Sequence, residues 1–479
     1  MKKLVSIFML LFLTLVNNNG YAINYISKNL ALSQSIVGSE LDGKTVYFYP
    51  QGISKSISIK NDMAILGQPL HLHFMGTNNG FTLKHCGEGC YLIYPASKRF
   101  SLNYVIEMSK HNTQKNEKLH IWADKKGKNQ NQLWKFYKNE DGSYQIQNSY
   151  SKLYMSLDKN VIVQNKDPIN WEVICYDIEF ADPWMKKVDD NKLLSEINIP
   201  GTHDTGSRLV DGCAEQVTQS QCQYLSPEEQ LTAGVRMFDL RCAVNMHEKD
   251  PLITHGTACY DKSMKHMHLS EIFNKTEAFL AKYPSECVIF LISIGDPVAS
   301  SGKAKKLENV IANYINQGRI WSGISVPQLK DVRGKIVLMR RFDIVGNNPY
   351  KIGENRFGFN LAAWEENVDY SSVKQAIPLK RGTRAWIQDY FQCSGKEKYK
   401  YFKPTLKQAE NFCKIPPNEF VFNYSSCRFS NPFFAARSIN KKILKDNLFE
   451  CGKRFGIIVM DYVTFPLARA IYQSNCSPS

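Results

Sequence analysis

Two histidines, several aspartates and one arginine follow short apolar segments in the C-terminal part of this 479-residue chain. His203 and Asp204 are adjacent in Pro200-Gly-Thr-His-Asp-Thr-Gly206, where proline and glycine impose a tight backbone. An apolar segment that ends in ionisable residues recurs at Asp239, Arg241, His255 and Asp461. Because histidine exchanges protons near neutral pH and arginine binds phosphate oxygens, these residues predict acid–base chemistry on a phosphate.

Alternating strands and helices are predicted to position these residues. Leu269–Lys282 and Ala304–Asn316 have the apolar spacing of amphipathic helices. The predicted buried strands are Pro284–Ile292, Lys335–Arg340, Arg384–Gln388, Phe420–Asn423 and Gly456–Met460. About eight apolar segments over about 300 residues favour an α/β barrel of the TIM type, with the catalytic residues at the C-terminal ends of its strands.

Residues 23–178 show a different pattern, which is typical of an all-β domain. Short alternating segments are separated there by glycine, asparagine and aspartate. The most regular segments follow one another at a spacing of about ten residues. They are Leu119–Trp122, Asn131–Phe136, Gly142–Asn148 and Lys152–Ser156.

The order of these segments resembles the ricin-B-like β-trefoil family. Gln132 and Trp134 match its Gln-x-Trp motif, and Ser151 and Tyr154 match its Ser-x-x-Tyr strand. The resemblance implies a β-trefoil-like fold, and it makes a glycan ligand a hypothesis. The simpler interpretation, which we favour, places the tryptophans in the core. These are Trp122, Trp134 and Trp171.

The composition predicts a folded, basic protein. Its length suggests two domains, and a hydrophobic content of 43% is sufficient for real cores. A net charge of +15 and a pI near 9.1 attract the protein to anionic surfaces. We expect a monomer that binds an anionic phospholipid membrane surface peripherally. No nucleic-acid partner is expected, because the sequence contains no recognisable nucleic-acid module.

Residues 1–22 have the organisation of a secretory signal peptide. Lys2 and Lys3 precede the apolar segment Leu4–Val16, and the small-residue site Gly20–Ala22 follows it. The alternative is a membrane anchor, but the apolar segment is shorter than the roughly 20 residues that span a bilayer. The expected location is secreted or periplasmic.

The 13 cysteines fit an oxidising compartment. Cys287, inside an apolar segment, is predicted to be a buried free thiol. No Cys-x-x-Cys pair or His-Glu-x-x-His motif occurs in the sequence, so no structural zinc site is predicted. Sequence alone does not determine disulfide connectivity, and three pairings are open. They are Cys86 with Cys90, Cys213 with Cys222, and Cys242 with Cys259.

A set of ordered motifs from residue 179 to 479 resembles the catalytic X domain of bacterial phosphatidylinositol-specific phospholipase C. The resemblance implies a distorted TIM-type barrel that cleaves phosphatidylinositol to diacylglycerol and an inositol cyclic phosphate. The motifs are Pro200–Gly206, Gly234–Arg241, Thr254–Gly256, Phe279–Glu286, Val332–Arg341, Ile387–Asp389 and Ile458–Tyr462.

Intramolecular cleavage of a phosphodiester requires a base for the attacking hydroxyl group and an acid for the leaving oxygen. We predict that His203 is the base and that Asp461 orients its ring. His255, coupled to Asp204, is the predicted acid, because a neighbouring carboxylate raises the pKa of a histidine and favours its protonated form.

Arg241 is predicted to stabilise the phosphate and to make a metal ion unnecessary. By resemblance, calcium-dependent members carry Asn after the first histidine and an acidic ligand at the arginine position. The pair Asp204 and Arg241 matches the metal-independent bacterial type instead. A guanidinium group repels a divalent cation and itself donates to phosphate. No cofactor is therefore expected, and Asp239 is predicted to position its neighbours.

Recognition of the head group is where the sequence departs from this family. By resemblance, Arg341 and Asp389 bind inositol hydroxyl groups and Phe391 packs on the ring. Ser293 occupies the position of an inositol-contacting lysine, so the site is expected to discriminate between head groups differently from the family. Residues 396–413 are interpreted as a solvated flap rather than a membrane-facing loop.

Two other functions remain as alternatives. One is a lectin-like surface-binding protein with a relict barrel, against which the intact set of ionisable residues argues. The other is a phosphodiesterase that acts on a different head group. A metal-dependent version would need a cluster of acidic ligands, and Arg241 occupies that neighbourhood.

Overall fold

The computed structural model describes most of the chain in two compact units, which divide between residues 175 and 176. The predicted signal peptide lies outside the described residues. Among the residues that are described, no helix is long and apolar enough to cross a membrane. The described ranges are 35–51, 56–59, 66–73, 80–96, 104–108, 113–140, 142–175, 183–207, 221–244, 247, 249–255, 267–295, 301–365, 367, 376–427 and 432–476.

The N-terminal unit is all-β, and a short 3₁₀ turn at Gln130–Gln132 precedes its ninth strand. Its strands are β1 (Ser35–Ile36), β2 (Thr45–Pro50), β3 (Ser56–Ile59), β4 (Leu70–His73), β5 (Phe81–His85), β6 (Cys90–Pro95), β7 (Tyr104–Met108), β8 (Leu119–Ala123), β9 (Trp134–Lys138), β10 (Tyr144–Asn148), β11 (Tyr154–Asp158), β12 (Val161–Asn165) and β13 (Trp171–Cys175).

Six of these strands close into a barrel, because neighbours pair in the order β9-β6-β5-β2-β13-β10 and β10 pairs back with β9. All of these pairings are antiparallel. Three hairpins complete the unit, β3 with β4, β7 with β8, and β11 with β12. A closed six-stranded barrel with three hairpins is the arrangement of a β-trefoil, and this confirms the predicted fold.

The tryptophans of this unit have mainly structural surroundings. Trp134 and Trp171 are completely buried, and their indole N–H groups donate to the carbonyl oxygens of Ile106 and Met155. Gln132 is also buried and donates to the carbonyl oxygen of Ala123. The prediction of a core position was wrong for Trp122, which is only partly buried at the end of a hairpin strand.

The C-terminal unit alternates strands and helices. Its strands are β14 (Ile199–Thr202), β15 (Met237–Ala243), β16 (Leu252–Ile253), β17 (Val288–Ile294), β18 (Ile320–Trp321), β19 (Ile336–Arg341), β20 (Phe359–Asn360), β21 (Ala376–Pro378), β22 (Arg384–Gln388), β23 (Phe420–Tyr424) and β24 (Ile457–Met460). Its helices are α1 (Pro227–Thr232), α2 (Leu269–Lys282), α3 (Ser301–Asn316), α4 (Leu329–Val332), α5 (Gly395–Ala409), α6 (Pro432–Lys445) and α7 (Phe465–Gln473), with 3₁₀ turns at Trp184–Lys187, Leu194–Glu196, Glu354–Arg356 and Lys380–Gly382.

The main sheet runs in the order β18-β19-β17-β15-β14-β24-β23-β22-β21. Neighbours from β18 to β22 are parallel, whereas β21 is antiparallel to β22. Within the described residues, β18 and β21 do not pair with each other, so the barrel is distorted and open at that side. The central strands are buried on both faces. This pattern is typical of a parallel sheet that is covered by helices.

The interpretation of residues 396–413 as a solvated flap was wrong. Most of this segment forms α5, whose capping box joins Ser394 to Glu397. One face of the helix is buried and includes Phe402 and Leu406. The lysines and tyrosines that suggested a flap lie mainly on the other side, but Lys398 is completely buried.

The predicted cysteine pairings receive no support. Cys86 is an exposed thiol, whereas Cys90 is buried and its Sγ lies 3.4 Å from Ser149 Oγ, so this pairing was wrong. Cys213 and Cys259 lie outside the described residues. Cys287 is a buried free thiol, as predicted. A disulfide that was not predicted joins Cys451 to Cys476.

A buried ion pair lies at the beginnings of strands β15 and β17. Arg236 and Glu286 are both fully buried, and Arg236 Nε lies 2.8 Å from Glu286 Oε2. The guanidinium group also donates to the carbonyl oxygens of Leu231 and Val235 and stacks 4.5 Å from the centre of the Phe279 ring. Removal of one partner leaves the other charge buried without compensation.

We therefore expect Glu286→Ala to lower the free energy of unfolding by about 3–5 kcal/mol. Urea denaturation followed by tryptophan fluorescence measures the change. Glu450→Ala removes an exposed carboxylate that pairs with Lys453 and serves as the control, with no measurable effect expected. Equal denaturation midpoints for the two variants would contradict the prediction.

Candidate active site

Three adjacent strands bring His203, Asp239, Arg241 and Asp461 to one edge of the barrel. Thr202, the last residue of β14, is level with Phe238 of β15 and with Met460 of β24. The next residue, His203, is therefore flanked by Asp239 on one side and Asp461 on the other. Arg241 lies two residues further along β15 and so points to the same face as Asp239.

The loop after β14 has a tightly defined backbone. Asp204 has a φ of 42°, a left-handed conformation that is uncommon for residues other than glycine. The hydroxyl groups of Thr202 and Thr205 are 2.8 Å apart, and Thr205 Oγ1 accepts from the backbone N–H of Asp239. Gln223 Nε2 donates to the carbonyl oxygen of His203 at 2.9 Å. These bonds hold the histidine and the aspartate in one orientation.

His203 is placed to accept a proton. Its Nδ1 lies 2.7 Å from Asp461 Oδ1, and its Nε2 lies 2.9 Å from an Arg241 nitrogen. Because a guanidinium group only donates, Nε2 must be the acceptor, and we assign a neutral ring with its proton on Nδ1. Burial alone would lower the pKa of His203, but the carboxylates of Asp204 and Asp461 raise it well above its ordinary value. The neutral form therefore depends on the Arg241 nitrogen at Nε2, and a proton that replaces this nitrogen is held strongly.

Asp204 links the other charged groups of the site. Its side chain is almost fully buried and lies 2.7 Å from Arg241 Nε, 3.3 Å from His203 Nε2 and 3.4 Å from His255 Nε2. Burial favours the protonated acid, but the positive charges of Arg241 and His255 outweigh it and hold the pKa of Asp204 below its usual value. The carboxylate is therefore ionised and balances the positive charge around it.

His255 is placed to donate a proton. Burial lowers its pKa, but the Asp204 carboxylate and, more weakly, the contact with Cys222 raise that pKa to about 9. The ring is therefore protonated at neutral pH. Its side chain is 22% exposed, so Nε2 can reach a bound molecule, and its ring centre lies 6.1 Å from that of His203.

Asp239 precedes Arg241 by two residues on β15. It is buried and accepts a long hydrogen bond of 3.4 Å from the hydroxyl group of Tyr424. Burial and the nearby Asp204 charge raise the pKa of Asp239. Its described side-chain hydrogen bond is to Tyr424 and not to either histidine, and its role in positioning its neighbours stays a prediction.

The predicted head-group residues lie on the same edge. Ser293 of β17 pairs in register with Arg241 on one side and with Arg341 on the other, so it lies between two arginines. Arg341 stacks 4.2 Å from the centre of the Trp364 ring, and Trp364 Nε1 donates to Asp389 Oδ2 at 3.2 Å. This chain of contacts connects Arg341 to Asp389, whose pKa is raised by burial.

Phe391 is the one predicted head-group residue without a described contact to the others. It is partly buried, and its backbone N–H donates to Asn367 Oδ1 at 3.1 Å. Phe391 therefore lies in the loop that follows β22. Its packing against an inositol ring stays a prediction.

Several residues of the site carried no signal in the sequence. Trp364 and Gln223 lie in loops without a recognised motif, yet each bonds to a predicted site residue. Tyr424 ends β23, and a search for polar residues at strand ends would have found it. Cys222 lies beside His255, with Sγ 3.6 Å from Nδ1. Lys398 was missed because its segment was predicted to be a solvated flap.

The described residues contain one group that has the ligand types of a metal site. Ligand atoms of His203, Asp204 and Cys222 all lie within 4.8 Å of one another. Arg241 contacts both His203 and Asp204, however, and its positive charge opposes a divalent cation there. The donor set thus suits an anionic ligand better than a metal ion.

Comparison with known proteins finds a similar family for each unit. Residues 197–342 match the family described as phosphatidylinositol-specific phospholipase C, X domain. Residues 77–171 match the family described as ricin-type beta-trefoil lectin domain-like. Both resemblances drawn from the sequence are confirmed by these matches.

Individual relatives agree with this classification. A 1-phosphatidylinositol phosphodiesterase of Staphylococcus aureus (strain Newman) is 27% identical over 295 residues, which are 59% of this chain and 88% of the relative. The enzyme of the same name from Listeria monocytogenes serovar 1/2a is 26% identical over 316 residues, 64% of this chain and 89% of the relative. A crystal structure of a pentafluoro-Phe-containing phosphatidylinositol-specific phospholipase C from S. aureus matches with a TM-score of 0.51 and 25% identity, over 62% of this chain and 98% of that one.

Proposed function

We propose that the C-terminal unit is a phospholipase C that cleaves the glycerophosphodiester of phosphatidylinositol. The observation that carries the proposal is the cluster in which Asp204 contacts two histidines and one arginine at a single edge of the barrel. His203 offers an unprotonated Nε2 while Arg241 contacts it, and His255 is protonated, so one can serve as the base and the other as the acid. The named relatives are phosphodiesterases of this lipid.

The reaction follows from the positions of these groups. Phosphate binding draws Arg241 away from His203 Nε2, which then removes the proton of the inositol 2-hydroxyl group. The hydroxyl oxygen attacks phosphorus while Arg241 stabilises the negative charge on the phosphoryl oxygens. His255 donates its proton to the glycerol oxygen as the phosphorus–oxygen bond breaks. The products are diacylglycerol and an inositol cyclic phosphate.

Asp461 and Asp239 complete the proposed site. Asp461 holds the proton on Nδ1 of His203 and stabilises the imidazolium that forms, as the carboxylate of a catalytic triad does. Asp239 positions the strand that carries Arg241. Arg341, Asp389 and Phe391 form the head-group site with Ser293.

We infer that the reaction needs no metal ion. The guanidinium group of Arg241 supplies positive charge where a divalent cation would otherwise be required. We also propose that residues 1–22 direct export to a secreted or periplasmic location, where a monomer acts on anionic membrane lipid. A glycan ligand for the β-trefoil unit is a further proposal, supported by the family match.

The proposal is tested by release of diacylglycerol from vesicles in excess EDTA. The wild type is expected to hydrolyse phosphatidylinositol, to leave phosphatidylcholine intact and to produce a cyclic phosphate, which ³¹P NMR identifies. Phosphatidylinositol methylated on the 2-hydroxyl oxygen is the matched control, because it cannot undergo intramolecular attack. Hydrolysis of neither natural lipid would refute the assignment, and activity that appears only with an added cation would refute the metal-independent mechanism.

The alkaline limit of activity should depend on Asp204. This carboxylate raises the pKa of His255 to about 9, so the acid form is present at neutral pH and is lost as pH rises through that value. In Asp204→Asn the pKa of His255 falls, and the alkaline limb of the kcat profile moves toward neutral pH. Asp250→Asn, which removes a carboxylate near His268 instead, should leave the limb in place. An unchanged limb in Asp204→Asn would exclude His255 as the group responsible.

A further inference from the structure

Two buried cysteines meet beside the predicted head-group site. Cys393 follows β22 and comes directly before the N-cap of α5, and Cys427 follows β23. Because β22 and β23 are parallel neighbours, both residues emerge at the same edge of the barrel. That edge carries Asp389 and Phe391, which lie between β22 and Cys393.

The two thiol groups are already close to each other. They lie with Ala435 and Tyr390 in one small buried cluster, close enough for each thiol to influence the pKa of the other. Cys393 Sγ also lies 3.6 Å from the carbonyl oxygen of Tyr390, and Cys427 Sγ lies 3.6 Å from that of Ser425. Both side chains are almost completely buried, at 3% and 5% exposure. A disulfide would bring the two sulfur atoms to the bonding distance of about 2.05 Å.

We propose that Cys393 and Cys427 form a disulfide that ties the loop carrying Asp389 and Phe391 to the end of β23. The bond forms while the chain folds, because both thiols are inaccessible afterwards. An exported protein meets suitable oxidants of the disulfide class, either a small-molecule disulfide or a protein disulfide.

The exchange consumes one disulfide of the oxidant. The Cys393 thiolate attacks a sulfur of that disulfide, which gives a mixed disulfide and releases the first thiol. The Cys427 thiolate then attacks Cys393 Sγ and releases the second thiol. The two protons lost by the cysteines are taken up by the two released thiolates, and two electrons pass to the oxidant.

As the segment approaches its folded position, and before the thiols become inaccessible, the surroundings favour Cys393 as the attacking group. The neighbouring Cys427 thiol lowers the pKa of Cys393, and the Lys398 ammonium group acts in the same direction. Lys398 is fully buried and donates to Gln388 Oε1 at 2.9 Å and to the carbonyl oxygen of Tyr390 at 2.5 Å. The residues on both sides of Asp389 are thus already restrained, and the disulfide adds a covalent restraint to the same segment.

Mass spectrometry of the full-length exported protein tests the bond itself and does not depend on the proposed function. The protein is unfolded in guanidinium with iodoacetamide and digested without reduction. The expected product is a linked peptide pair containing Cys393 and Cys427, lighter by two hydrogens than the separate peptides. Cys287, a buried thiol 3.7 Å from Met185 Sδ, should be alkylated in the same sample. Full alkylation of Cys393 and Cys427 would overturn the proposal.

Kinetics test the consequence for the loop, and this part rests on the proposed function. Cys393→Ala and Cys427→Ala should each raise KM for phosphatidylinositol several-fold with little change in kcat. The double variant should be no worse than either single variant, because each removes the same bond. Independent, additive effects would show that the side chains act only through packing, and an unchanged KM would refute the restraint on the loop. Cys287→Ala is the matched control, and circular dichroism verifies the fold of each variant.

Discussion

His203→Ala is expected to lower kcat for phosphatidylinositol cleavage by about three to four orders of magnitude. The ring is the only group in the described part of the site that combines an unprotonated nitrogen with a carboxylate partner on its other nitrogen. Its removal leaves the inositol hydroxyl group without a base, whereas Arg241 and the head-group residues still bind the lipid. The loss should therefore appear in kcat much more than in KM.

Continuous release of diacylglycerol from phosphatidylinositol vesicles measures this effect. His268→Ala is a matched control, because His268 lies in the same unit and also pairs with an aspartate, at 3.7 Å from Asp250. It should retain wild-type kcat. A His203→Ala enzyme within tenfold of the wild type would show that another group removes the proton.

His255→Ala should lower kcat for phosphatidylinositol by about two to four orders of magnitude, with a loss that depends on the leaving group. The glycerol oxygen leaves as a strongly basic alkoxide unless it is protonated, and His255 is the protonated group beside Asp204. A substrate in which an acidic phenol replaces diacylglycerol leaves readily without a proton. The variant should therefore recover most of its activity on an aryl phosphodiester of inositol.

The activities of His203→Ala and His255→Ala on the natural lipid and on the aryl substrate decide which histidine is the acid. His203→Ala should be slow on both substrates, because both require removal of the same hydroxyl proton. His255→Ala should be slow on the natural lipid alone. Recovery of His203→Ala on the aryl substrate, without recovery of His255→Ala, would reverse the two assignments.

Local pattern predicted much of the fold. Leu269–Lys282 and Arg384–Gln388 have the predicted bounds, because helical and strand periodicities depend on neighbouring residues in the chain. Local pattern failed to predict the structure where a charged side chain is buried. Residues 396–413 contain many lysines and Pro404, yet most of the segment forms α5. Lys398 can be buried because Gln388 and Tyr390, which lie outside α5, accept hydrogen bonds from its ammonium group.

The sequence by itself determined the types of groups that could do chemistry and their places after apolar strands. It could not show that Trp364 bridges Arg341 and Asp389, or that Cys222 lies beside His255. These contacts depend on loops, which follow no period.

The tertiary structure alone decided which strands are neighbours. Placing β14 between β15 and β24 brings Asp461 to within 2.7 Å of His203, although 258 positions separate them in the chain. Side-chain periodicity is set by local backbone geometry, and so it can be read from the sequence. Strand order instead results from the packing of buried faces and the closure of the barrel, and these depend on the whole chain at once.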